Sequence, residues 1–216
     1  WVQFEIVTQD MAHAYRQLPV TPAHLRFTVV AFWHCGLKCI MFIVLYGSPY
    51  GLSSVVLNFS RVPALQTAFA RRTLGCLTSY FFDDFGLIDL FCSCGSAQLG
   101  LRSQCKVGGL LLDAAKSQQM ASQRIFLGQC TDVGRVAALA EVQFNLKPGF
   151  SADVRAFTDS LFETGECSSG QASKLRGKFG WAAKVVHGKC GRGGQHALVL
   201  RQYFDDTTAL TTNLVN

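Results

Sequence analysis

Asp83 and Asp84 are adjacent carboxylates in the run Ser79-Tyr80-Phe81-Phe82-Asp83-Asp84-Phe85-Gly86-Leu87-Ile88-Asp89-Leu90, between two apolar, strand-like stretches. Carboxylates buried without partners are costly, and two at the tip of a strand-turn-strand repel each other unless a divalent cation or solvent neutralises them. A third carboxylate at the end of another strand would complete a two-metal site, which activates an attacking oxygen and stabilises a leaving one in an in-line displacement. Asp10 is the candidate, because it closes the apolar alternation Val2, Phe4, Ile6 and leads into Met11-Ala12-His13-Ala14-Tyr15-Arg16-Gln17-Leu18-Pro19. The plain alternatives are a solvated acidic turn at Asp83-Asp84 and a helix N-cap at Asp10.

The elements that must position these groups follow from periodicity. Val29 to Trp33 and Cys39 to Leu45 are β-branched and aromatic runs around a turn at His34 to Lys38, which predicts a buried hairpin. Leu52, Val55, Val56, Phe59 and Val62 form one stripe of an amphipathic helix starting at or just before Ser53, with a kink or restart at Pro63 and an end near Gly75. Leu77 to Phe82 and Gly86 to Phe91 pair about the acidic turn, and Gly95 to Val107 returns as a helix. A strand pair opens at Phe126-Leu127-Gly128. The order strand, helix, two strands, helix, strand is that of a split βαβ, ferredoxin-like antiparallel sheet, an α+β fold that sets Asp10 beside the Asp83-Asp84 turn. Beyond Pro148 the pattern becomes helical: one helix capped by Ser151, a second from Ser168 or Ser169 to Val186, and a short one at Ala197 to Gln202. The expected division is residues 1–147 and 148–216.

Composition narrows the classes. With 216 residues, 49% hydrophobic and 16% charged, the chain is folded rather than disordered. The apolar stretch from Thr28 to Tyr46 is interrupted by His34, Gly36 and Lys38, against a membrane span. Nine cysteines without CxxC pairs read as reduced thiols rather than a zinc site, which favours an intracellular compartment. From Cys167 to Phe204 there is no Asp or Glu, while Lys174, Arg176, Lys178, Lys184, Lys189, Arg192 and Arg201 supply seven positive charges. The rest of the chain holds 13 Lys and Arg against 14 Asp and Glu, so the net charge of +6 resides in that segment. With Phe179, Trp181 and Tyr203 interleaved, it suits sequence-independent phosphate contacts, a solvated helical face being the alternative.

Five ordered blocks carry a resemblance: Asp10 with Ala14-Tyr15-Arg16-Gln17-Leu18; Pro49-Tyr50-Gly51-Leu52-Ser53-Ser54 with Phe59 and Arg61; Phe82-Asp83-Asp84; Lys116-Ser117; and Phe126-Leu127-Gly128. Together they resemble the palm of retroelement reverse transcriptases, over roughly Val2 to Val133, with phrasing similar to elements with long terminal repeats or a tyrosine recombinase. The resemblance implies an RNA-directed DNA polymerase that uses two Mg²⁺, or Mn²⁺ in their place. Asp10 and Asp83 would be metal ligands, joined by the Met11 backbone carbonyl and more weakly by Asp84. Ala14, Tyr15, Tyr50 and Gly51 would line the nucleotide, Tyr15 favouring deoxynucleotides by colliding with a 2′ hydroxyl. Lys116 would lie near the pyrophosphate, and Phe126, Leu127 and Gly128 would grip the primer terminus. Lys174, Arg176, Lys178, Lys184, Lys189 and Arg192 would follow the backbone of an RNA:DNA duplex in a thumb- or connection-like region. Implied partners are an RNA template, a DNA primer and deoxynucleoside triphosphates, with no membrane.

Departures are Phe81 where the family usually has Tyr, Ser48 where many relatives have Leu, and Val56 where Pro is frequent. Tyr203-Phe204-Asp205-Asp206 imitates the acidic motif but is followed by Thr207-Thr208 rather than a second strand, and reads as a solvated helix end. No RNase H is recognisable. Family members carry a fingers subdomain before the first palm strand, so the chain reads as a piece expected to bind nucleotides poorly by itself. A catalytically inactive relic and a nucleic-acid-binding module are the rival readings.

Overall fold

The computed structural model describes residues 2–185, 192–205, 207–211 and 214. Compactness divides the chain into two units, one of Trp1–Arg124 with Val136–Ala140 and one of Ile125–Arg135 with Glu141–Asn216.

The first unit is built on an antiparallel sheet of β1 (Phe4–Asp10), β4 (Leu77–Phe81) and β5 (Asp84–Leu90) in the order β1-β5-β4. The free edge of β1 is occupied by isolated antiparallel bridges from Ile6 to Ala121 and from Met11 to Leu112. Helices α1 (Ser53–Thr73) and α2 (Ser96–Val107) pack on the sheet. The core is Val7, Met11, Phe59, Phe85, Leu87 and Leu101 with smaller side chains, all nearly inaccessible. Each large member contributes about 1.5–3 kcal/mol of apolar burial. α1 runs through Pro63 as one helix, so the expected restart is absent; the buried Pro63 packs in the core-facing stripe. Asp89 accepts from the Ala97 amide (3.0 Å) and the Ser96 hydroxyl (3.3 Å), which caps α2 from the adjacent strand.

Between β1 and α1 lies the ribbon of β2 (Val29–His34) and β3 (Cys39–Val44), in register from Val29 opposite Val44 to His34 opposite Cys39. Its base is tied by the Thr28 hydroxyl, which bonds the carbonyls of Leu25 (2.9 Å) and Leu45 (2.8 Å). The hairpin is as expected, but its burial is not: all twelve strand residues are exposed. β-branched and aromatic residues dictate the extended backbone, whereas burial needs a covering layer, and a two-stranded ribbon has no interior of its own.

The second unit contains β7 (Gln129–Asp132) paired with β8 (Gln143–Leu146), and the end of β6 (Gln123–Phe126), whose strand crosses the division between the units; the sheet order is β6-β7-β8. Along the chain, a short helix α3 (Val136–Leu139), which belongs to the first unit, intervenes between β7 and β8. Helices α4 (Phe150–Thr164), α5 (Ser169–Val185) and α6 (His196–Tyr203) enclose a core of Leu161, Cys167, Ala172, Leu175 and Leu198. α4 starts at Phe150 after Gly149, whose φ of +81° makes the entry turn, so Ser151 lies inside the first turn rather than capping it. α5 is instead capped reciprocally, the Ser168 amide and hydroxyl both donating to Gln171 Oε1 (2.8 Å) while the Gln171 amide donates to the Ser168 hydroxyl (3.4 Å). Arg201, 1% exposed, pins the following segment through the Thr207 carbonyl and hydroxyl and the Ala209 carbonyl. Eight cysteines are free thiols among the described residues, and Cys190 lies outside them. No helix of the described residues is long and apolar enough to cross a membrane.

Candidate active site

Antiparallel register brings the acidic residues together. The pairing of β1 with β5 sets Asp10 opposite Asp84, and the pairing of β4 with β5 sets Phe81 opposite Asp84. Phe82 and Asp83 are therefore the two central residues of a tight turn, with Phe82 at φ +53°, a position where glycine is the default. A bulky residue held there stores about 1–2 kcal/mol of backbone strain. The turn is held from the neighbouring strand by the Met11 amide, which donates to the Asp83 carbonyl (2.9 Å), while Phe81 and Phe82 stack edge to face (4.7 Å).

Charge accumulates at this end of the sheet. Burial, then the nearby Asp10 and Asp83 carboxylates, push the Asp84 carboxyl up to about 6, against the opposing pull of Lys116. The Lys116 ammonium forms an ion pair with Asp10 Oδ2, and that hydrogen bond and charge hold the amine above its ordinary range. Lys116 is carried on a loop whose Asp113 amide donates to the Asp10 carbonyl (2.8 Å) and whose Asp113 Oδ1 accepts the Ala115 (2.9 Å) and Lys116 (3.4 Å) amides. Gln17 braces the same loop through the Leu111 amide (2.7 Å) and carbonyl (2.8 Å). Asp113 was not singled out in the sequence, although an Asp two and three residues before the amides it caps is the local signal that identifies such a turn; Gln17 belongs to the block that follows Asp10, but its bracing of this loop is visible only in the structure.

The donor set is all oxygen, suited to a hard divalent cation, and a lysine ammonium already stands as a cation on one member. As the side chains stand, no three His, Cys, Asp or Glu groups among the described residues converge on one ion position. The Met11 carbonyl accepts a long hydrogen bond from Ala14 (3.4 Å).

The segment that follows Asp10 enters a cluster of aromatic rings. His13 (φ +58°) and Ala14 (φ +39°) form a strained left-handed step that delivers Tyr15, whose ring meets Phe59 (4.7 Å) and Tyr50 (5.2 Å) edge-on. The Tyr50 hydroxyl donates to the His13 carbonyl (3.1 Å), and Arg16 lies over the Tyr50 ring (5.5 Å). Gly51 takes φ +94°. The sequence reading missed Gly47, where any side chain would collide with the Arg16 carbonyl.

In the second unit Leu127 (φ +52°) and Gly128 (φ +79°) make the turn between β6 and β7 that Phe126 enters. Trp181 backs this turn, since a Cβ on Gly128 would come within 3.2 Å of its ring, and Trp181 also packs on Phe150 (5.0 Å). Lys174 and Lys178 both reach over Phe157 (4.8 and 5.6 Å), whereas Arg176 reaches over Tyr203 (5.3 Å). The basic residues of α5 thus occupy two faces. Lys184 and Arg192 are exposed, and Lys189 lies outside the described residues. Asp205 of the imitation motif bonds Thr207 and pairs with Arg201 (3.5 Å), the Thr207 bonds holding its carboxyl below the usual range; Asp206 lies outside the described residues.

No known family model and no curated protein matches this sequence. Solved structures do. The chain is similar to the foamy viral protease-reverse transcriptase in complex with an RNA/DNA hybrid, with a TM-score of 0.73 and 14% identity over 99% of this chain and 26% of that one. It is also similar to the dRH form of that protein in complex with double-stranded DNA, with a TM-score of 0.71 and 13% identity over 100% of this chain and 34% of that one. The chain spans about a quarter to a third of the length of these structures. At that identity the likeness speaks for fold, and the fold is reverse-transcriptase-like, an antiparallel sheet with helices with which a polymerase palm is compatible.

Proposed function

We propose that the chain is the palm, with an adjoining thumb- or connection-like region, of a retroelement RNA-directed DNA polymerase. The observation that carries this reading is the antiparallel register that sets Asp10 opposite Asp84 with Asp83 in the turn between β4 and β5. The reverse-transcriptase-like fold supports it.

Asp10, Asp83 and the Met11 carbonyl, with Asp84 beside them, would hold two Mg²⁺ or Mn²⁺. When bound, such ions supply Lewis-acid activation of a primer 3′ hydroxyl and charge stabilisation on a leaving pyrophosphate. Tyr15, buttressed by Phe59, offers a rigid ring edge that excludes a ribose 2′ hydroxyl and so favours deoxynucleotides. Ala14, Tyr50 and Gly51 complete the wall against the sugar and base. Lys116 lies within reach of the acidic centre and would serve the phosphate side of the nucleotide. Phe126, Leu127 and Gly128, stiffened by Trp181, would hold the primer terminus. Lys174, Arg176, Lys178, Lys184, Lys189 and Arg192 would neutralise phosphates along the duplex of RNA template and DNA primer.

The test is deoxynucleotide incorporation on a primed RNA template with Mg²⁺ or Mn²⁺, using this chain and a longer version carrying its natural upstream residues. Extension that disappears in Asp83→Asn supports the reading. Asp84→Asn, if Asp84 acts as an outer partner, should weaken metal use by about 10- to 100-fold. Absence of extension from both lengths, in protein that is folded and binds duplex, overturns it in favour of a nucleic-acid-binding module.

A further inference from the structure

The Lys116 ammonium and the Asp10 carboxylate meet across 106 residues of chain. The Asp10 side chain is only 11% exposed, and its strand partner Asp84 is a second carboxylate in the same corner. A half-buried pair of like charges needs a cation nearby. Lys116 arrives there on a braced loop: Asp113 is bonded to the Asp10 backbone, Gln17 to Leu111, and Arg102 to Ser117 and Gln9. None of these braces involves the Lys116 side chain, so the loop keeps its place whether or not the ammonium stays on Asp10. The ammonium itself is a compact charge on a flexible four-carbon stem, 66% exposed, and is free to swing away.

We propose that Lys116 is the built-in counter-cation of the carboxylate centre: a divalent ion that binds Asp10 must displace its ammonium, and the displacement frees Lys116 for the phosphate side of a bound nucleotide. This rests on the metal-ion reading above. It assigns Lys116 two successive positions, holding the carboxylates together in the empty state and leaving them when the ion arrives.

The test measures Mn²⁺ binding by electron paramagnetic resonance, without nucleotide or nucleic acid, for the wild type, Lys116→Met and Asp10→Asn. Removing a competing exposed ion pair should tighten Mn²⁺ binding in Lys116→Met by about two- to fivefold. Its thermal midpoint in chelator should fall below that of the wild type and recover on adding Mn²⁺. In the wild type, labelling of Lys116 by an amine-reactive reagent should rise as Mn²⁺ saturates, a readout that needs no substitution and decides the matter if Lys116→Met fails to fold. Equal or weaker Mn²⁺ binding by folded Lys116→Met, or Lys116 labelling unchanged at saturating Mn²⁺, overturns the counter-cation role; if Asp10→Asn still abolishes binding, the metal-ion reading stands without it. No Mn²⁺ binding by the wild type overturns both.

Discussion

Two hairpins of this molecule begin from similar sequence material and end in opposite environments. The β4–β5 hairpin buries Phe85 and Leu87 completely and carries two carboxylates at its turn, whereas the β2–β3 ribbon exposes every strand residue, Phe42 to 69%. Both turns hold a non-glycine residue at positive φ, Phe82 at +53° and Lys38 at +48°. The difference lies in what surrounds them. β5 has a strand on each side and the helices α1 and α2 against it, while β2 and β3 pair only with each other among the described residues. Pleat and turn are local properties; burial is conferred by neighbours. That packing also lets the β4–β5 turn sustain strain and crowded charge.

The sharpest way to break the comparison is to remove one ring from each hairpin. Phe85→Ala should lower stability by about 3–5 kcal/mol. Phe42→Ala should change it by no more than about 0.5 kcal/mol. Denaturant midpoints of the two variants measure the contrast, and equal losses would mean that the ribbon is covered in solution.

The acidic turn should also report on pH in a way the ribbon, which has no carboxylate, does not. The Asp84 carboxyl, pushed up to about 6, keeps a proton in the folded chain that it loses when unfolded. Its stabilising contribution is complete below the ordinary carboxylate range and is lost as the pH rises through about 6. In chelator, the free energy of unfolding should therefore fall by about 1 kcal/mol between about pH 4 and pH 6, allowing for solvent screening of a half-exposed group. Asp84→Asn should flatten that slope, as read from urea titrations at several pH values.

Lys38→Gly should gain about 0.5 kcal/mol by relieving the left-handed turn, read as a rise of a few degrees in the melting temperature. Least costly to stability should be Ile40→Lys with Phe42→Lys, which places charge on the exposed ribbon. The expected outcome is reduced self-association by light scattering with an unchanged melting temperature.

Several features were legible in the sequence because they depend on near neighbours. The alternation ending at Asp10 and the apolar runs flanking Asp83-Asp84 specified β1, β4 and β5, and the stripe through Phe59 specified α1. The helix start at Ser168 or Ser169 was readable, whereas the Gln171 side chain that completes the cap on Ser168 emerges only from the hydrogen bonds. Context also sufficed to set aside Tyr203-Phe204-Asp205-Asp206, whose described residues Tyr203 to Asp205 end a helix beside the buried Arg201 instead of turning between strands. The exposure of β2–β3 was not legible, because Val, Ile and Phe encode strand propensity without saying whether a second layer exists.

By itself, the sequence determined which residue types occupy which elements: carboxylates at strand ends and a basic tract along α5. Those follow from local sterics and periodicity. The sequence order also anticipated Asp10 beside the Asp83-Asp84 turn, but only the tertiary structure decided the register that pairs Asp10 with Asp84, that Lys116 reaches Asp10, that Gly47 lies against the Arg16 carbonyl and that Trp181 backs the Gly128 turn. Each of these joins positions far apart in the chain, whose encounter is set by packing and sheet register rather than by the conformational preference of any single segment.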